Sequence, residues 1–201
     1  MVMERADLLP AITGAEPVED REEARQIALA QAGNDAAIDW LLARYRQRVV
    51  RLATHILRRP GDAEDAAQEA FVRAFRNLHA FRGKGRFYTW LYQIVVRVCL
   101  DMRRLARWNA EVPLENMNEA QMSSDCGLRA VDSRILVDAL MDRISPPSRA
   151  ALVLRELEGL DYEEIAGVMG IPVGRVRWRL HAARAEFNKL LGAVMKETDD
   201  A

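Results

Sequence analysis

Apolar residues recur at three- and four-residue steps along most of the chain, which is the spacing of one buried face on an α-helix. The pattern over residues 36–57 predicts a long helix, and the patterns over residues 63–78 and 89–102 predict two more. The predicted inner face of the first helix consists of Ile38, Leu41, Leu42, Tyr45, Val49, Leu52, Ala53 and Ile56. No segment alternates apolar and polar residues over a useful length, so the sequence predicts an all-α fold.

Breaking and capping residues separate these helices. Pro60 and Gly61 interrupt the first pattern, and Asp62 is predicted to cap the helix that follows. Residues 79–88 contain glycine and are predicted to form a loop, after which Thr89 is the predicted cap of the third helix. The aromatic residues near this loop that are expected to pack in the core are Phe81, Phe87 and Trp90.

The helical periodicity fades between residues 107 and 132, where proline, asparagine, serine and glycine become frequent. A second periodic segment begins near Asp132 and ends near Met195. The pattern predicts two small helical domains joined by a flexible acidic linker. The predicted boundaries are an N-terminal extension over 1–22, a first module over 23–107, a linker over 108–132, a second module over 133–195 and a polar tail over 196–201.

Charge is distributed in blocks along the 201 residues, although the whole chain has a net charge of only −1. The net charge is −6 over residues 1–39, +10 over residues 40–107 and −5 over residues 108–142. Over residues 143–201 the positive and negative charges balance, and the net charge is zero. A basic module inside a nearly neutral protein indicates that one face meets a polyanion such as DNA.

Several classes of protein are excluded by what the sequence lacks. No run of about 18 apolar residues could span a bilayer, and the N-terminus has no secretory pattern, so we expect a cytoplasmic protein without membrane insertion. Cys99 and Cys126 lie far apart, which argues against a disulfide or a zinc site. His55, His79 and His181 are scattered and no motif of a hydrolase or metalloenzyme occurs. We therefore expect no catalytic residue, no metal and no cofactor.

The most specific local pattern lies between residues 160 and 180. Asp161 and Glu164 are spaced as a capping box, and Gly170 can end the short helix in the left-handed conformation. Pro172 precedes a second helix, and the pattern predicts a helix-turn-helix within a four-helix domain. The second helix is predicted to expose Arg175, Arg177, Trp178, Arg179, His181 and Arg184. Arginines on such a helix can bond guanine edges or phosphates, which indicates DNA binding, whereas an ordinary helical hairpin is the alternative.

Two sets of motifs resemble a known family. The segments DAEDAAQEAF at 62–71, FRG at 81–83 and TWLYQI at 89–94 resemble region 2 of the extracytoplasmic-function (ECF) group of bacterial RNA polymerase sigma factors, in the sigma-E-like form. The segments SPPSR at 145–149 and ELEGL at 156–160 resemble region 4. The resemblance covers about residues 23–191. It implies an alternative sigma factor that directs promoter recognition, DNA melting and transcription initiation.

The resemblance also implies partners and site residues. The partners are the core RNA polymerase, through its β′ clamp helices and β flap, promoter DNA and an anti-sigma factor. The residues implied for binding the core polymerase are Asp65, Gln68, Glu69, Val72 and Arg73. Those implied for the minus-10 element are Arg82, Lys84, Arg86, Tyr88, Tyr92, Arg97 and Arg104. Those implied for the minus-35 element are Arg149, Arg175, Arg177, Trp178, Arg179, His181 and Arg184.

Two positions depart from the family pattern. Arg97 stands where the family usually has asparagine, and Trp178 stands where it has a small or polar residue. Arg97 adds positive charge near the melted strand. Trp178 places a large apolar ring on the predicted reading face, and such a ring favours contact with the thymine methyl group. We hypothesise that Trp178 and Arg177 alter the preferred minus-35 sequence.

Other functions remain possible on the residues alone. A conventional helix-turn-helix regulator that binds duplex operators would explain residues 161–184, although it gives no reason for the basic, aromatic-rich segment at 81–107. A helical scaffold without DNA binding would leave the arginines of the second helix unexplained.

Overall fold

The computed structural model describes residues 18–83, 85–111 and 140–199. Its elements are α1 (Val18–Gln31), α2 (Asp35–Leu57), α3 (Pro60–Arg76), a 3-10 turn (Leu78–Ala80), α4 (Phe87–Glu111), α5 (Pro146–Glu156), α6 (Tyr162–Met169) and α7 (Val173–Asp199). The described residues contain no strand, which confirms the all-α class. No helix in these ranges combines the length and the apolar character needed to cross a membrane. The predicted linker, apart from its first residues, and much of the N-terminal extension lie outside the described residues.

The chain forms two compact units, Met1–Ala43 and Arg44–Ala201. In the first unit, Ile27 and Ala30 of α1 and Ala37 of α2 are buried. The turn between the two helices passes through Gly33, which has a positive φ of 87°. Asn34 then begins α2, because its Oδ1 accepts a hydrogen bond of 2.9 Å from the backbone N–H of Ala37. This local signal, an asparagine before an apolar repeat, is enough to start the helix.

The second unit contains residues 44–111 and 140–199, which include most of both predicted modules. An aromatic cluster at the start of α4 packs around Phe87, whose ring centroid lies 5.3 Å from those of Tyr45 and Phe81 and 5.5 Å from that of Trp90. Phe87 is buried, and Phe81 and Trp90 are partly buried. The expectation that these residues pack in the core is confirmed for Phe87, whereas Phe81 and Trp90 contact its ring and stay partly exposed.

Two predicted helix caps are wrong. Helix α3 begins at Pro60 after Arg59, which makes no capping hydrogen bond through its side chain, so Asp62 lies inside the first turn. Proline suits this position because the first helical N–H groups have no partner within the helix, and Asp62 still interacts favourably with the helix dipole. Helix α4 begins at Phe87, so Thr89 lies in its first turn instead of capping it.

Cys99 lies on the inner side of α4 and has no exposed surface. Burial raises the pKa of its thiol to about 12, because removal from water disfavours the charged thiolate. The thiolate is the reactive form, so Cys99 is a small apolar residue of the core.

We expect the thiol of Cys99 to resist alkylation in the folded protein. The rise in pKa from 9.0 to about 12 lowers the thiolate fraction by about a thousandfold at a given pH, and burial blocks access as well. A Cys126→Ser variant leaves Cys99 as the single thiol, and its reaction with iodoacetamide can be followed by mass spectrometry at mildly alkaline pH. The same variant in urea is the control and should react readily. Comparable rates with and without urea would show that Cys99 is accessible.

Candidate nucleic-acid interface

The first helix of the helix-turn-helix, α6, begins with a complete capping box. The backbone N–H of Glu164 donates to Oδ1 of Asp161 at 2.7 Å, and the backbone N–H of Asp161 donates to Oε2 of Glu164 at 3.0 Å. Two backbone donors that the helix leaves unpaired are thereby satisfied. The opposite face of α6 buries Ile165 and Val168. The capping box predicted from the spacing is confirmed.

Gly170 makes the turn between α6 and α7. Its φ of 63° and ψ of 38° are left-handed, a conformation that costs other residues more than glycine. The backbone N–H of Ile171 donates to the carbonyl oxygen of Ala166 at 3.1 Å, which is the six-to-one bond of a Schellman motif. Pro172 follows, and its carbonyl oxygen accepts from the N–H of Arg175 at 2.8 Å. The chain therefore reverses sharply and starts α7 at once.

Helix α7 has an apolar inner face and a basic outer face. Val176, Leu180 and Ala183 are buried against the rest of the second unit. Five of the six residues predicted to be exposed are exposed, and Trp178 shows 67% of its surface to solvent. Arg179 is half-buried, and burial followed by the charge of Arg175 lowers its pKa. The exposed residues of the predicted set are Arg175, Arg177, Trp178, His181 and Arg184.

Tyr162, at the start of α6, lies among arginines from the two neighbouring helices, α5 and α7. The guanidinium carbon of Arg155 is 5.0 Å from the centre of the Tyr162 ring, and that of Arg177 is 6.0 Å from it. Arg184 donates to Oε1 of Glu156 at 2.6 Å, and this bond raises the pKa of Arg184. Two arginines of α7 are therefore held by contacts to α5 and α6. Tyr162 belongs to none of the sets predicted from the sequence, although it follows the capping residue Asp161 directly.

The predicted minus-10 segment begins with a loop over residues 81–86. Arg82 and Arg86 are exposed, whereas Lys84 lies outside the described residues. Gly83 and Gly85 have positive φ values of 69° and 92°, so both glycines are needed for this path. Nη1 of Arg86 donates to the hydroxyl oxygen of Tyr88 at 2.9 Å, which holds one cation next to one ring.

Helix α4 carries the other residues of the predicted minus-10 set. Arg97 and Arg104 are exposed, and Nη2 of Arg104 lies 3.4 Å from Oδ1 of Asp101. Tyr92, in contrast, is 1% exposed, and its hydroxyl donates to Oε2 of Glu158 at 2.6 Å. Burial, and then the bond to Glu158, raises the pKa of Tyr92 well above its usual range. The sequence does not indicate this contact because Glu158 belongs to the other predicted module.

The predicted polymerase-binding residues share the outer face of α3. All five are exposed, and Nε of Arg73 donates to Oε1 of Glu69 at 2.6 Å. Val72 is 37% exposed, so the face combines charged groups with an apolar one. The opposite face buries Ala63, Ala66, Ala67, Ala70 and Ala74.

A cleft of about 390 Å³ opens between α3 and α4. It is lined by Arg73, Asn77, Ala80, Trp90, Gln93, Ile94 and Arg97. Asn77 and Gln93 belong to none of the predicted sets; Asn77 follows the last residue of α3, and Gln93 lies four residues before Arg97 on α4. Amide groups next to an aromatic ring can bond and stack a nucleobase. No group of side chains among the described residues could hold a metal ion.

Arg149 is the one member of the predicted minus-35 set that is buried, at 2% exposure. Nη1 donates to the carbonyl oxygen of Ile56 at 3.0 Å, and Nη2 donates to those of Ile144 at 2.9 Å and Asp142 at 3.2 Å. Burial lowers the pKa of Arg149. The other six members lie on α7, so the structure separates Arg149 from them.

Comparison with known families agrees with this geometry. The family description Sigma-70 region 2 matches residues 41–109, and Sigma-70, region 4 matches residues 134–187. The first match contains α3 and all but the last two residues of α4, and the second contains α6 and the first part of α7.

The chain is also similar to curated proteins. It is 35% identical over 203 residues to the ECF RNA polymerase sigma factor SigE of Mycolicibacterium smegmatis, covering 94% of this chain and 77% of the relative. It is 32% identical over 189 residues to the RNA polymerase sigma-H factor of Pseudomonas aeruginosa. That alignment covers 88% of this chain and 97% of the relative. It is 34% identical over 165 residues to the ECF RNA polymerase sigma-E factor of Escherichia coli K12. That alignment covers 77% of this chain and 86% of the relative.

Solved structures share the fold. CnrH, in complex with the cytosolic domain of CnrY, matches with a TM-score of 0.62 and 25% identity, over 85% of this chain and 97% of CnrH. The sigma factor RpoE from Bartonella quintana, in complex with the anti-sigma factor NepR, matches with a TM-score of 0.62 and 19% identity. The match covers 77% of this chain and 96% of RpoE.

Regions 2 and 4 in this order define a transcription initiation factor of the sigma-70 class. Within that class, the chain belongs to the ECF RNA polymerase sigma factors. It is an alternative sigma factor for transcription initiation.

We expect Asp161→Ala to destabilise the second unit by about 1 kcal/mol, because the N-terminal donors of α6 lose their acceptor. Asp161→Asn is the matched control, since asparagine caps helices as well as aspartate does. Urea unfolding followed by circular dichroism measures both variants. Equal loss of stability in the two variants would show that the charge of Asp161 matters more than its hydrogen bond.

Proposed function

We propose that residues 44–111 bind core RNA polymerase and the melted minus-10 strand, while residues 140–199 read the minus-35 duplex through α7. The observation that carries this proposal is the two-sided character of α7. Val176, Leu180 and Ala183 are buried, while Arg175, Arg177, Trp178 and Arg184 face solvent on the second helix of a helix-turn-helix. A helix of this kind fits the major groove with side chains directed at base edges.

The residues of α7 would divide the work of reading the duplex. Arg175 and Arg179 bind phosphates, which supplies affinity for any sequence and makes binding fall as salt rises. Arg177 lies beside the ring of Tyr162, and this contact restricts its rotamers so that it can pair with one guanine edge. Trp178 packs against a thymine methyl group. Arg149 supports α5 from the interior.

The minus-10 strand would bind where cations surround the cleft between α3 and α4. Arg82, Arg86 and Arg97 follow the phosphates of the unpaired strand. The cleft of about 390 Å³ accepts one unstacked base, with Trp90 as the stacking surface and Asn77 as a hydrogen-bonding group.

The outer face of α3 would bind the β′ clamp helices of the polymerase. Asp65, Gln68 and Glu69 offer acceptors and a donor at helical spacing, and Val72 adds an apolar contact at 37% exposure. The salt bridge between Glu69 and Arg73 at 2.6 Å holds both side chains in place before docking. The β flap would contact the second module.

The protein would act in the cytoplasm and would itself catalyse no reaction. The solved structure of CnrH contains the cytosolic domain of a second protein. By analogy with that complex and with the ECF family, we propose that an anti-sigma factor holds this chain inactive until a signal releases it.

The test of this function is transcription in vitro. We expect purified protein, added to bacterial core polymerase and fragmented genomic DNA of its own host, to produce new transcript starts. These starts should share two spaced upstream motifs and be absent with core polymerase alone. If no start appears and the protein shifts duplex DNA unaided, the chain is a conventional regulator of duplex operators.

We expect substitutions on α7 to separate affinity from sequence preference. Arg175→Ala should weaken binding to all promoters, because it removes a phosphate contact. Trp178→Ser should change the base preferred at one minus-35 position, with a discrimination of about 1–3 kcal/mol. A selection from randomised promoters measures both effects, and Glu186→Ala, at another exposed position of α7, is the control. Unchanged preference for Trp178→Ser would contradict the role given to the ring.

A further inference from the structure

A row of arginines on α2 belongs to none of the predicted site sets. Arg44, Arg48 and Arg51 recur at steps of four and three residues, which places them on one flank of the helix, and all three are exposed. At the usual helical rise this α2 arginine row is about 10 Å long. Residues 44–51 contain no carboxylate, so nothing within this segment balances the positive charge.

The buried side of α2 fixes the direction in which the α2 arginine row faces. Tyr45 and Leu52 are buried, and the ring centroid of Tyr45 lies 5.3 Å from that of Phe87 at the start of α4. On the opposite flank, Nη2 of Arg46 lies 3.6 Å from Oε2 of Glu64 in α3. The α2 arginine row therefore lies on the flank of α2 that faces away from α3.

A short series of contacts connects the α2 arginine row with the start of α4. Nη2 of Arg51 lies 3.4 Å from Oε1 of Glu158, whose Oε2 accepts from the hydroxyl of Tyr92 at 2.6 Å. The ring centroid of Tyr92 lies 5.7 Å from that of Tyr88, and Nη1 of Arg86 donates to the Tyr88 hydroxyl oxygen at 2.9 Å. Cations of α2 and of the loop before α4 thus lie at the two ends of one aromatic pair.

Arg48 lies near the same aromatic pair. Burial and then the bond to Glu158 raise the pKa of Tyr92, whereas the positive charges of Arg48 and Arg51 lower it. Such an effect requires the charges to be close to the hydroxyl group, so both guanidinium groups lie near α4. Within the part of the chain that the structure describes, no carboxylate pairs with Arg48. A phosphate can therefore bind Arg48 without first displacing an ion pair.

We propose that the α2 arginine row binds phosphates of single-stranded DNA and extends the minus-10 strand site from α4 onto α2. The proposal rests on the function given above for residues 44–111. Tyr88 is partly exposed and offers a stacking surface for one base between two groups of cations. Cations that alternate with an aromatic ring suit a single strand, because its phosphates are charged and each base has a π-face. An acidic protein surface would bind the arginines but would make no use of the ring.

The salt dependence of DNA binding tests the α2 arginine row in the holoenzyme. The probe is a fluorescein-labelled single-stranded oligodeoxynucleotide of mixed sequence, and core polymerase alone gives the background. The logarithm of the association constant falls with the logarithm of the salt concentration, by about 0.7 for each phosphate contact to a single strand. We expect Arg48→Ala to reduce this slope by about 0.7 and to weaken binding about fivefold at about 0.1 M salt. Arg44→Ala/Arg48→Ala should reduce the slope by about 1.4.

Two variants of the same helix are the matched controls. Arg46→Ala removes an arginine from the opposite flank and should leave the slope unchanged, whereas a general effect of net charge would change it as much as Arg48→Ala does. Arg48→Lys keeps the charge and should keep the slope. Circular dichroism checks that each variant is folded. An unchanged slope for Arg48→Ala, or an equal reduction for Arg46→Ala, would overturn the proposal.

A surface of the polymerase is the alternative partner of these arginines, and it predicts a different result. If Arg48→Ala weakens binding of the labelled chain to core polymerase while the DNA slope of the saturated holoenzyme stays the same, the α2 arginine row binds the polymerase and the proposal is wrong. Failure of the sigma function would show separately, because the unchanged chain would then produce no transcript starts with core polymerase.

Discussion

The buried guanidinium of Arg149 connects parts of the second unit that are distant in sequence. Removing an arginine from water is costly unless its donors are satisfied, and here two of its nitrogens reach the carbonyl oxygens of Ile56, Asp142 and Ile144. Its positive charge also suits the C-terminal end of α2. Burial lowers the pKa of Arg149, but an arginine keeps its charge at neutral pH. The position of α5 relative to α2 depends on this side chain.

On the outer faces of the helices, carboxylates pair with exposed arginines. Glu69 pairs with Arg73, Asp101 with Arg104, and Glu156 with Arg184. Exposed pairs of this kind contribute little to stability, so a phosphate can replace the carboxylate at small cost. The buried pair of Tyr92 and Glu158 is different, because separating it requires the two modules to move apart.

The helix-turn-helix was predictable in detail because its signals are local. Asp161 and Glu164 bond each other across three residues, and Gly170 takes the conformation that its missing Cβ allows. The starts of α3 and α4 were predicted less well. Pro60 begins α3 two residues before the expected cap, and Phe87 begins α4 because its ring is fixed by an aromatic cluster. The proline at the start of α3 is a local signal, whereas the start of α4 lies in the tertiary packing around Phe87.

The sequence by itself determined the helical class, the helix-turn-helix, the inner faces of the helices and the outer basic face of α7, because each follows from spacing within one element. Only the tertiary structure decided that Arg149 and Tyr92 are buried. A helix pattern gives the face on which a residue lies, but it does not say which distant segment covers that face. The contacts of Glu158 with Tyr92 and of Arg149 with Ile56 join residues 66 and 93 positions apart, and no local periodicity encodes such a pairing.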